Sequence, residues 1–334
     1  MKNFYFLLLL FALAACKKEP HPLTLEQRLE QLPDSITVEN ITVYNAFKYQ
    51  ILAHNSKGYD SLMIINKVYR PHNELWDGCY AMIFGEENAS KFNTKAGFIQ
   101  WNKTLYPDNR MEFDKIATSY LSYNIDSLFR VNLIKFNKIV PHAPKLRMSI
   151  AFVPFQGIGF GGCADDMFVY ELNNPDYDLK FSLEKGVPHE FNHAAYEPFR
   201  KKDPLGETAL GQTIDEGFAC YFTWAFFDRK EPKEIFVENM TKKEWDWYLA
   251  HEKEIFAKCK PYFMDKSGDN PLLRNDKLRL FPDAPHSLNY WLGFRIVELY
   301  VIRHGKDSWK NIYTLPMKKL YEESGYEQYI NTLK

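Results

Sequence analysis

Hydrophobic residues recur at helical spacing over most of the chain and follow a strand-like pattern in one central segment. The apolar spacing from Ile116 to Ile134 predicts a helix over residues 113–140. Residues 148–153 and 167–170 are apolar and partly β-branched, which predicts two strands paired antiparallel across a glycine-rich loop. The pattern therefore predicts a mostly helical α+β fold with a small antiparallel sheet.

Capping and turn residues indicate three further helices. Thr24, followed three residues later by Gln27, is typical of a capping box. A second helix is expected over residues 207–228, after a Pro-Leu-Gly turn. Ser287 as N-cap and Gly305 beyond the last turn delimit a long helix near the C-terminus.

The N-terminus has the pattern of an export signal. Lys2 precedes a short apolar run over residues 4–12, and Leu-Ala-Ala stands directly before Cys16. This ending resembles the bacterial lipobox, which implies cleavage before Cys16 and acylation of its thiol. The alternative is an ordinary signal peptide in which Cys16 is incidental. We expect a protein anchored to the cell envelope, on the outer-membrane or periplasmic side, with its body in water.

The predicted organisation is a signal peptide (1–15), an acylated tether (16–23) and a single domain (24–334). Within that domain, residues 24–145 are expected to be mainly helical and residues 146–334 to carry the chemistry. The net charge is -1, with 42 basic and 43 acidic residues, so no basic excess suggests a nucleic-acid partner. Disulfides are possible in an oxidising compartment, but the sequence assigns no pairs among four cysteines, Cys79, Cys163, Cys220 and Cys259.

The candidate chemistry is concentrated in His189-Glu190-Phe191-Asn192-His193, an HExxH pattern. On a helix, residues four apart lie on one face, so both imidazoles would point at one spot and could bind zinc. Glu190 would lie beside the metal without ligating it and could accept a proton from metal-activated water. The alternative is a pair of histidines that pack or cap a helix.

A catalytic zinc takes a third protein ligand, and the candidate is Glu216, 23 residues after His193. Its neighbours predict a largely buried helix that returns antiparallel to the first, and a buried carboxylate needs a partner such as a cation. Asp215 is the other candidate ligand. We expect it instead to accept a hydrogen bond from an imidazole N–H and so to fix the tautomer.

Together, the HExxH pattern and the downstream Asp215-Glu216-Gly217 resemble the gluzincin class of zinc metallopeptidases, with a zincin-like fold. The sequence is still more similar to bacterial lipoproteins described as predicted zinc-dependent proteases, specifically over residues 185–230 and loosely over 146–305. The resemblance implies His189, His193 and Glu216 as ligands of one Zn²⁺ and Glu190 as general base. It also implies an edge strand that pairs with an extended peptide, expected in residues 149–154.

The chain departs from the best-known gluzincins around the third ligand. Those enzymes have Asn before the ligand Glu, where this chain has Asp215, and a later Ser-Asp pair, where it has Ala219 and Cys220. The metzincin pattern is absent, because its third histidine would stand at Phe199. These differences concern the residues that surround the predicted metal ligands, and they do not affect the ligands themselves.

A peptidase also needs donors for the oxyanion, and the late helix offers Tyr290, His286 and Arg295. Tyr290 is the preferred candidate, against the alternative of core packing. The sequence therefore predicts an envelope-anchored zinc peptidase with a peptide or protein substrate. The competing hypothesis is a non-catalytic envelope lipoprotein that uses the same fold as a binding or assembly module.

Overall fold

A computed structural model describes residues 22–157, 159–164, 166–175, 178–278 and 280–334, without the side chains of residues 163, 164 and 276. The predicted signal peptide, Cys16 and most of the tether lie outside these residues. None of the helices that the structure describes is both long enough and apolar enough to span a membrane. Cys79 is disulfide-bonded, whereas Cys220 and Cys259 are buried free thiols.

The strands form a five-stranded sheet with the order β1-β2-β5-β7-β6 and a separate two-stranded ribbon of β3 and β4. Their bounds are β1 (Ser35–Val38), β2 (Ile41–Tyr44), β3 (His54–Asn55), β4 (Gly58–Tyr59), β5 (Leu146–Ala151), β6 (Phe160–Ala164) and β7 (Met167–Glu171). β5 pairs parallel with both β2 and β7, while the β1–β2 and β6–β7 pairs are antiparallel. The sheet is therefore mixed, and the prediction of an antiparallel sheet was wrong.

The error arose in the glycine-rich segment. We expected it to be a loop joining two antiparallel strands, but it contains β6, which reverses direction before β7 and leaves β5 and β7 parallel. β7 is buried along its whole length and β5 at all but one position. Continuous apolar burial is what a strand covered on both faces requires.

The remainder of the fold is mostly helical, and the predicted α+β class is confirmed. The helices are α1 (Leu25–Gln31), α2 (Ala46–Leu52), α3 (Ser61–Ile64), α4 (Ala81–Ile83), α5 (Glu86–Asn93), α6 (Lys95–Asp108), α7 (Arg110–Tyr120), α8 (Ile125–Ile139), α9 (Leu179–Phe181), α10 (Val187–Arg200), α11 (Ala209–Phe226), α12 (Lys242–Ala250), α13 (Glu252–Cys259), α14 (Asn275–Leu278), α15 (Leu288–His304), α16 (Met317–Ser324) and α17 (Tyr326–Thr332).

Local signals placed several helix ends correctly. The capping box of Thr24 and Gln27 is present at α1, and α11 and α15 occupy the predicted segments. The single helix predicted over residues 113–140 was wrong, because α7 ends at Tyr120 and α8 begins after Asn124. Asn124 caps α8 by accepting a hydrogen bond from the Ser127 backbone N–H at 3.3 Å.

Alternate residues of the sheet enter two hydrophobic clusters. Phe168 and Tyr170 belong to the larger cluster, with α8, α10, α11 and α15, and Met167 and Val169 belong to the smaller one, around Trp76. Since neighbouring strand residues point to opposite faces, each cluster covers one face of β7. The HExxH helix α10 thus lies on the face of the larger cluster.

The closest helix crossing lies beside the predicted third ligand. A Cβ on Gly217 of α11 would lie 1.9 Å from the carbonyl carbon of Gly293 in α15, so only glycine permits this approach. Because Gly217 directly follows Glu216, the tight crossing holds that carboxylate in a fixed position against α10.

Candidate metal centre and substrate cleft

Helix α10 brings the two histidines of the HExxH pattern together. Pro188 lies in the first turn of this helix, which continues directly from a π-helical turn at Ser182–Gly186. His189 is buried and His193 is partly buried, and their Nε2 atoms lie 3.2 Å apart. Two ring nitrogens this close, without a cation between them, repel each other unless one carries a proton.

Helix α11 adds a carboxylate to the same point. Oε2 of Glu216 lies 3.4 Å from Nε2 of His189 and 3.2 Å from Nε2 of His193. This oxygen is buried, and among the described residues no hydrogen bond of standard geometry satisfies it. Ligands about 2.0–2.1 Å from a tetrahedral zinc are separated from each other by about 3.3 Å. His189, His193 and Glu216 therefore fit a zinc ion, and they form the group that could hold one.

Asp215 fixes the orientation of one imidazole. Its Oδ1 lies 3.0 Å from Nδ1 of His193, so Nδ1 donates and the Nε2 lone pair faces the metal position. Oδ2 of Asp215 lies 3.4 Å from Nε of Arg200, which is also paired with Glu197 at 2.6 Å. The structure places Asp215 behind the imidazole, not among the three converging atoms.

The other imidazole has an unusual neighbour. Sγ of the buried Cys220 lies 3.8 Å from Nδ1 of His189, one turn beyond Glu216 on α11. A neutral thiol is a weak hydrogen-bond partner, and burial raises the pKa of Cys220 well above its ordinary value. The two histidines are thus oriented unequally, one by a carboxylate and the other by a sulfur atom.

The ionisation of the metal-free centre reflects these contacts. Burial alone would lower the pKa of His193, but the carboxylates of Asp215 and Glu216 raise it well above its ordinary value. Burial alone would raise the pKa of Glu216, but His193 and His189 lower it below its ordinary range. In the metal-free centre, a proton on the imidazoles therefore supplies the positive charge that balances the carboxylates. A metal ion must displace this proton in order to bind.

Glu190 lies at the edge of the centre rather than inside it. Burial raises its pKa to about 7, and the carboxylates of Glu216 and Glu238 contribute to the increase. A Cβ on Gly161 of β6 would lie 3.4 Å from Oε2 of Glu190, and Gly161 has a φ of 153°. Glycine at this position suits both the backbone conformation and the close approach of the edge strand to the predicted base.

Two adjoining cavities meet at Glu190. The larger, about 540 Å³, runs along the C-terminal half of α10 past His193, Glu197 and Arg200. The smaller, about 150 Å³, lies at the N-terminal end of α10 beside Gly186 and His189. Phe160, Glu190 and Tyr290 line both. A chain crossing the metal centre would therefore have one cavity on each side.

Of the three predicted oxyanion donors, the structure brings only Tyr290 to the cleft. Its ring centroid lies 6.2 Å from that of His189. Burial, together with the neighbouring carboxylates, raises the pKa of Tyr290 well above its ordinary value, so its hydroxyl remains a donor. Its ring lines both cavities beside the candidate metal position.

His286 and Arg295 are not at the centre. His286 is half exposed and places Nε2 3.0 Å from the backbone oxygen of Glu238. Arg295 is buried and bonded to Glu252 and Glu298, in the core beside α13. Five residues on a helix correspond to about 500° of rotation, so Arg295 points away from the face that carries Tyr290. Both assignments as oxyanion donors are corrected.

The expected peptide-binding edge was also misplaced. Residues 149–154 begin in β5, which is an interior strand between β2 and β7 and has no free edge. β6 is the edge strand on the side of the cleft, with Phe160, Gly161 and Gly162 lining it. Parallel pairing, which the sequence did not reveal, puts β5 inside the sheet.

Sequence reasoning missed several charged residues of the cleft, among them Arg200, Glu238 and Arg274. Arg200 lies two turns after His193 on the same face of α10, so helical spacing could have identified it. Glu238 and Arg274 line the smaller and larger cavity, respectively, and come from connections between helices, where no periodicity marks them. Burial raises the pKa of Glu238.

Comparison with known proteins agrees with this geometry. No curated protein and no solved structure matches the chain. Residues 129–322, more than half of the chain, match the family described as "Predicted Zn-dependent protease (DUF2268)". This range begins in α8 and includes α10, α11 and α15, the three helices that form the centre. The chain belongs to this family of predicted zinc-dependent proteases.

Proposed function

We propose that this protein is a zinc-dependent peptidase in which Glu190 is the general base. The observation that carries the proposal is the convergence of Nε2 of His189, Nε2 of His193 and Oε2 of Glu216, with ligand-like separations of 3.2–3.4 Å, beside a carboxylate outside the set. A purely structural cluster has no need of that fourth group, which lines both cavities.

The residues divide the reaction among them. A bound zinc ion supplies a Lewis acid that polarises the carbonyl and lowers the pKa of water. Glu190 accepts a proton from the water while the water oxygen bonds to the carbonyl carbon of the peptide. Glu190 then passes that proton to the leaving amine as the C–N bond breaks. Tyr290 donates a hydrogen bond to the oxygen that gains negative charge.

The substrate would bind as an extended strand. β6 is the edge strand that borders the cleft, and an edge strand can pair with an extended peptide through its backbone. Backbone pairing with β6 does not depend on the side chains of the substrate, so it suits a peptide or protein substrate of varied sequence. Selectivity must then come from the two cavities, which differ in size and in charge.

The proposal is tested by removing the metal. The purified protein should contain about one zinc ion per chain and cleave a peptide library. A chelator should abolish cleavage, and added zinc should restore it. Elemental analysis and mass spectrometry of the products measure both quantities. A protein that holds no metal, or whose cleavage survives metal removal, would contradict the proposal.

We further propose that the protein is anchored to the cell envelope through acylated Cys16. Multiple acyl chains on one residue hold a protein firmly, because each buried methylene contributes about 0.8 kcal/mol. Cells fed a labelled fatty acid should label the wild-type protein and leave Cys16→Ser unlabelled. Label that persists in the variant would rule out this anchor.

A further inference from the structure

The smaller cavity is a more enclosed extension of the cleft with a mixed lining. It lies beside the N-terminal end of α10, where Gly186 and His189 form one wall. Aromatic rings form much of the remainder, from Phe160, Phe181, Phe236 and Tyr290. An engineered cavity of about 150 Å³ in another protein holds one benzene ring, so this pocket has room for one side chain.

Glu238 contributes a partly exposed carboxylate to this pocket, where attraction to the imidazoles of His189, His286 and His193 is opposed by repulsion from Glu216. No hydrogen bond or ion pair to its carboxylate occurs among the described residues. Its carboxylate is also outside the three converging ligand atoms, so the metal centre does not account for it. A carboxylate held among aromatic walls without a close partner is only partly stabilised, and a cation in the pocket would pair with it.

The backbone at Glu238 is held in an unfavourable conformation. Glu238 and Asn239 have φ values of 51° and 55°, in the left-handed region that side chains disfavour. His286 bonds the Glu238 backbone oxygen at 3.0 Å, which helps to hold this turn. Strain of this kind persists where the surrounding structure enforces it, frequently at binding sites.

The ammonium group of Lys185, which also lines the pocket, is already paired. Nζ of Lys185 lies 2.8 Å from Oε1 of Glu231 and 5.4 Å from the centroid of the Phe236 ring. Its side chain is only 12% exposed, so it is held in that pair rather than free in the cavity. Among the described lining residues, Glu190 and Glu238 are therefore the carboxylates without a salt bridge, and Glu190 is already assigned to the reaction.

We propose that this pocket is the selectivity subsite of the enzyme and binds a substrate side chain that ends in a cation, that of Lys or Arg. The inference rests on the proposed peptidase function. Because the pocket adjoins Glu190 and His189, the side chain it takes belongs to a residue flanking the scissile bond. The aromatic walls cover the methylene stem, and Glu238 pairs with the charged end.

Cleavage kinetics on matched peptides test this assignment. Internally quenched peptides would carry either Lys or uncharged norleucine at each position flanking the bond. For one position, the wild-type kcat/KM should be about 10- to 100-fold higher with Lys. Glu238→Gln should reduce this ratio to about one, and the ratio is the readout because the lost charge, which also acts on Glu190, changes the rates of both peptides together. Glu234→Gln, the same change on a neighbouring residue outside the cavities, should keep the ratio.

A binding measurement separates this inference from the proposed function. Metal-loaded Glu190→Gln protein would be titrated with Nα-acetyl-lysine hydroxamate and Nα-acetyl-norleucine hydroxamate. The lysine compound should bind about 10- to 100-fold more tightly, and Glu238→Gln should remove the difference even if no peptide is ever cleaved. Norleucine hydroxamate with a free α-amine tests whether a chain terminus supplies the cation instead.

Each outcome decides the assignment. Equal affinity of the two acetylated compounds would overturn the proposal for the residue on the carbonyl side of the bond, and equal cleavage of the Lys and norleucine peptides at both positions would overturn it altogether. Binding of neither compound would overturn the proposed metal centre, and this inference with it. Tight binding of only the free α-amine would also overturn it, because the pocket would then read a peptide N-terminus. A Glu238→Gln variant that slows cleavage of every peptide equally would place Glu238 in the chemistry rather than in a subsite.

Discussion

Replacing Glu190 with Gln is expected to lower kcat for peptide hydrolysis by about 10²- to 10⁴-fold, the usual contribution of a general base. The amide has nearly the same shape but cannot accept the proton. Zinc content should remain at one ion per chain, because Glu190 is not among the three ligand atoms. The result to look for is a folded, metal-loaded and inactive protein.

The control for this experiment is Glu184→Gln, six residues earlier and outside both cavities. It removes one charge from the turn that precedes α10 and should change kcat by less than about twofold. Steady-state kinetics and elemental analysis on the same preparations measure both quantities. Undiminished cleavage by Glu190→Gln would eliminate Glu190 as the base. A metal-loaded wild-type protein without any hydrolysis would favour a binding or assembly module instead.

The sequence could indicate that the side chains of the candidate centre converge, because that convergence depends largely on local geometry. Two histidines four residues apart on a helix must share a face, so their convergence follows from helical geometry alone. Predicting the position of Glu216 required one further assumption, that α11 returns antiparallel to α10. The apolar neighbours of Glu216 indicated the burial that makes this packing necessary.

The errors concern contacts between distant segments. Whether β5 pairs with β2 or lies at an edge depends on residues about a hundred positions away, which its own pattern does not encode. Arg295 was a different error, because the helical spacing that located Tyr290 already placed Arg295 on another face. Glu238 is in an irregular connection between α11 and α12, and only the folded structure brings it beside α10.

Replacing Glu216 with Ala is expected to reduce zinc affinity more than any change at Asp215. Glu216 supplies one of the three converging atoms, whereas Asp215 acts through the His193 ring. Loss of a hydrogen-bond partner behind a ligand typically costs about 10- to 100-fold in metal affinity. We therefore expect Asp215→Asn to fall in that range and Glu216→Ala to exceed it, leaving the protein without zinc after dialysis.

Competition with a chromophoric chelator measures both affinities, and circular dichroism checks that each variant is folded. The fold should survive Glu216→Ala, because the Gly217–Gly293 crossing that positions this segment is left unchanged. A reversed order, with Asp215→Asn metal-free and Glu216→Ala fully loaded, would make Asp215 the ligand. That result would require the imidazole of His193 to turn over, because Asp215 now faces Nδ1, the nitrogen that points away from the centre.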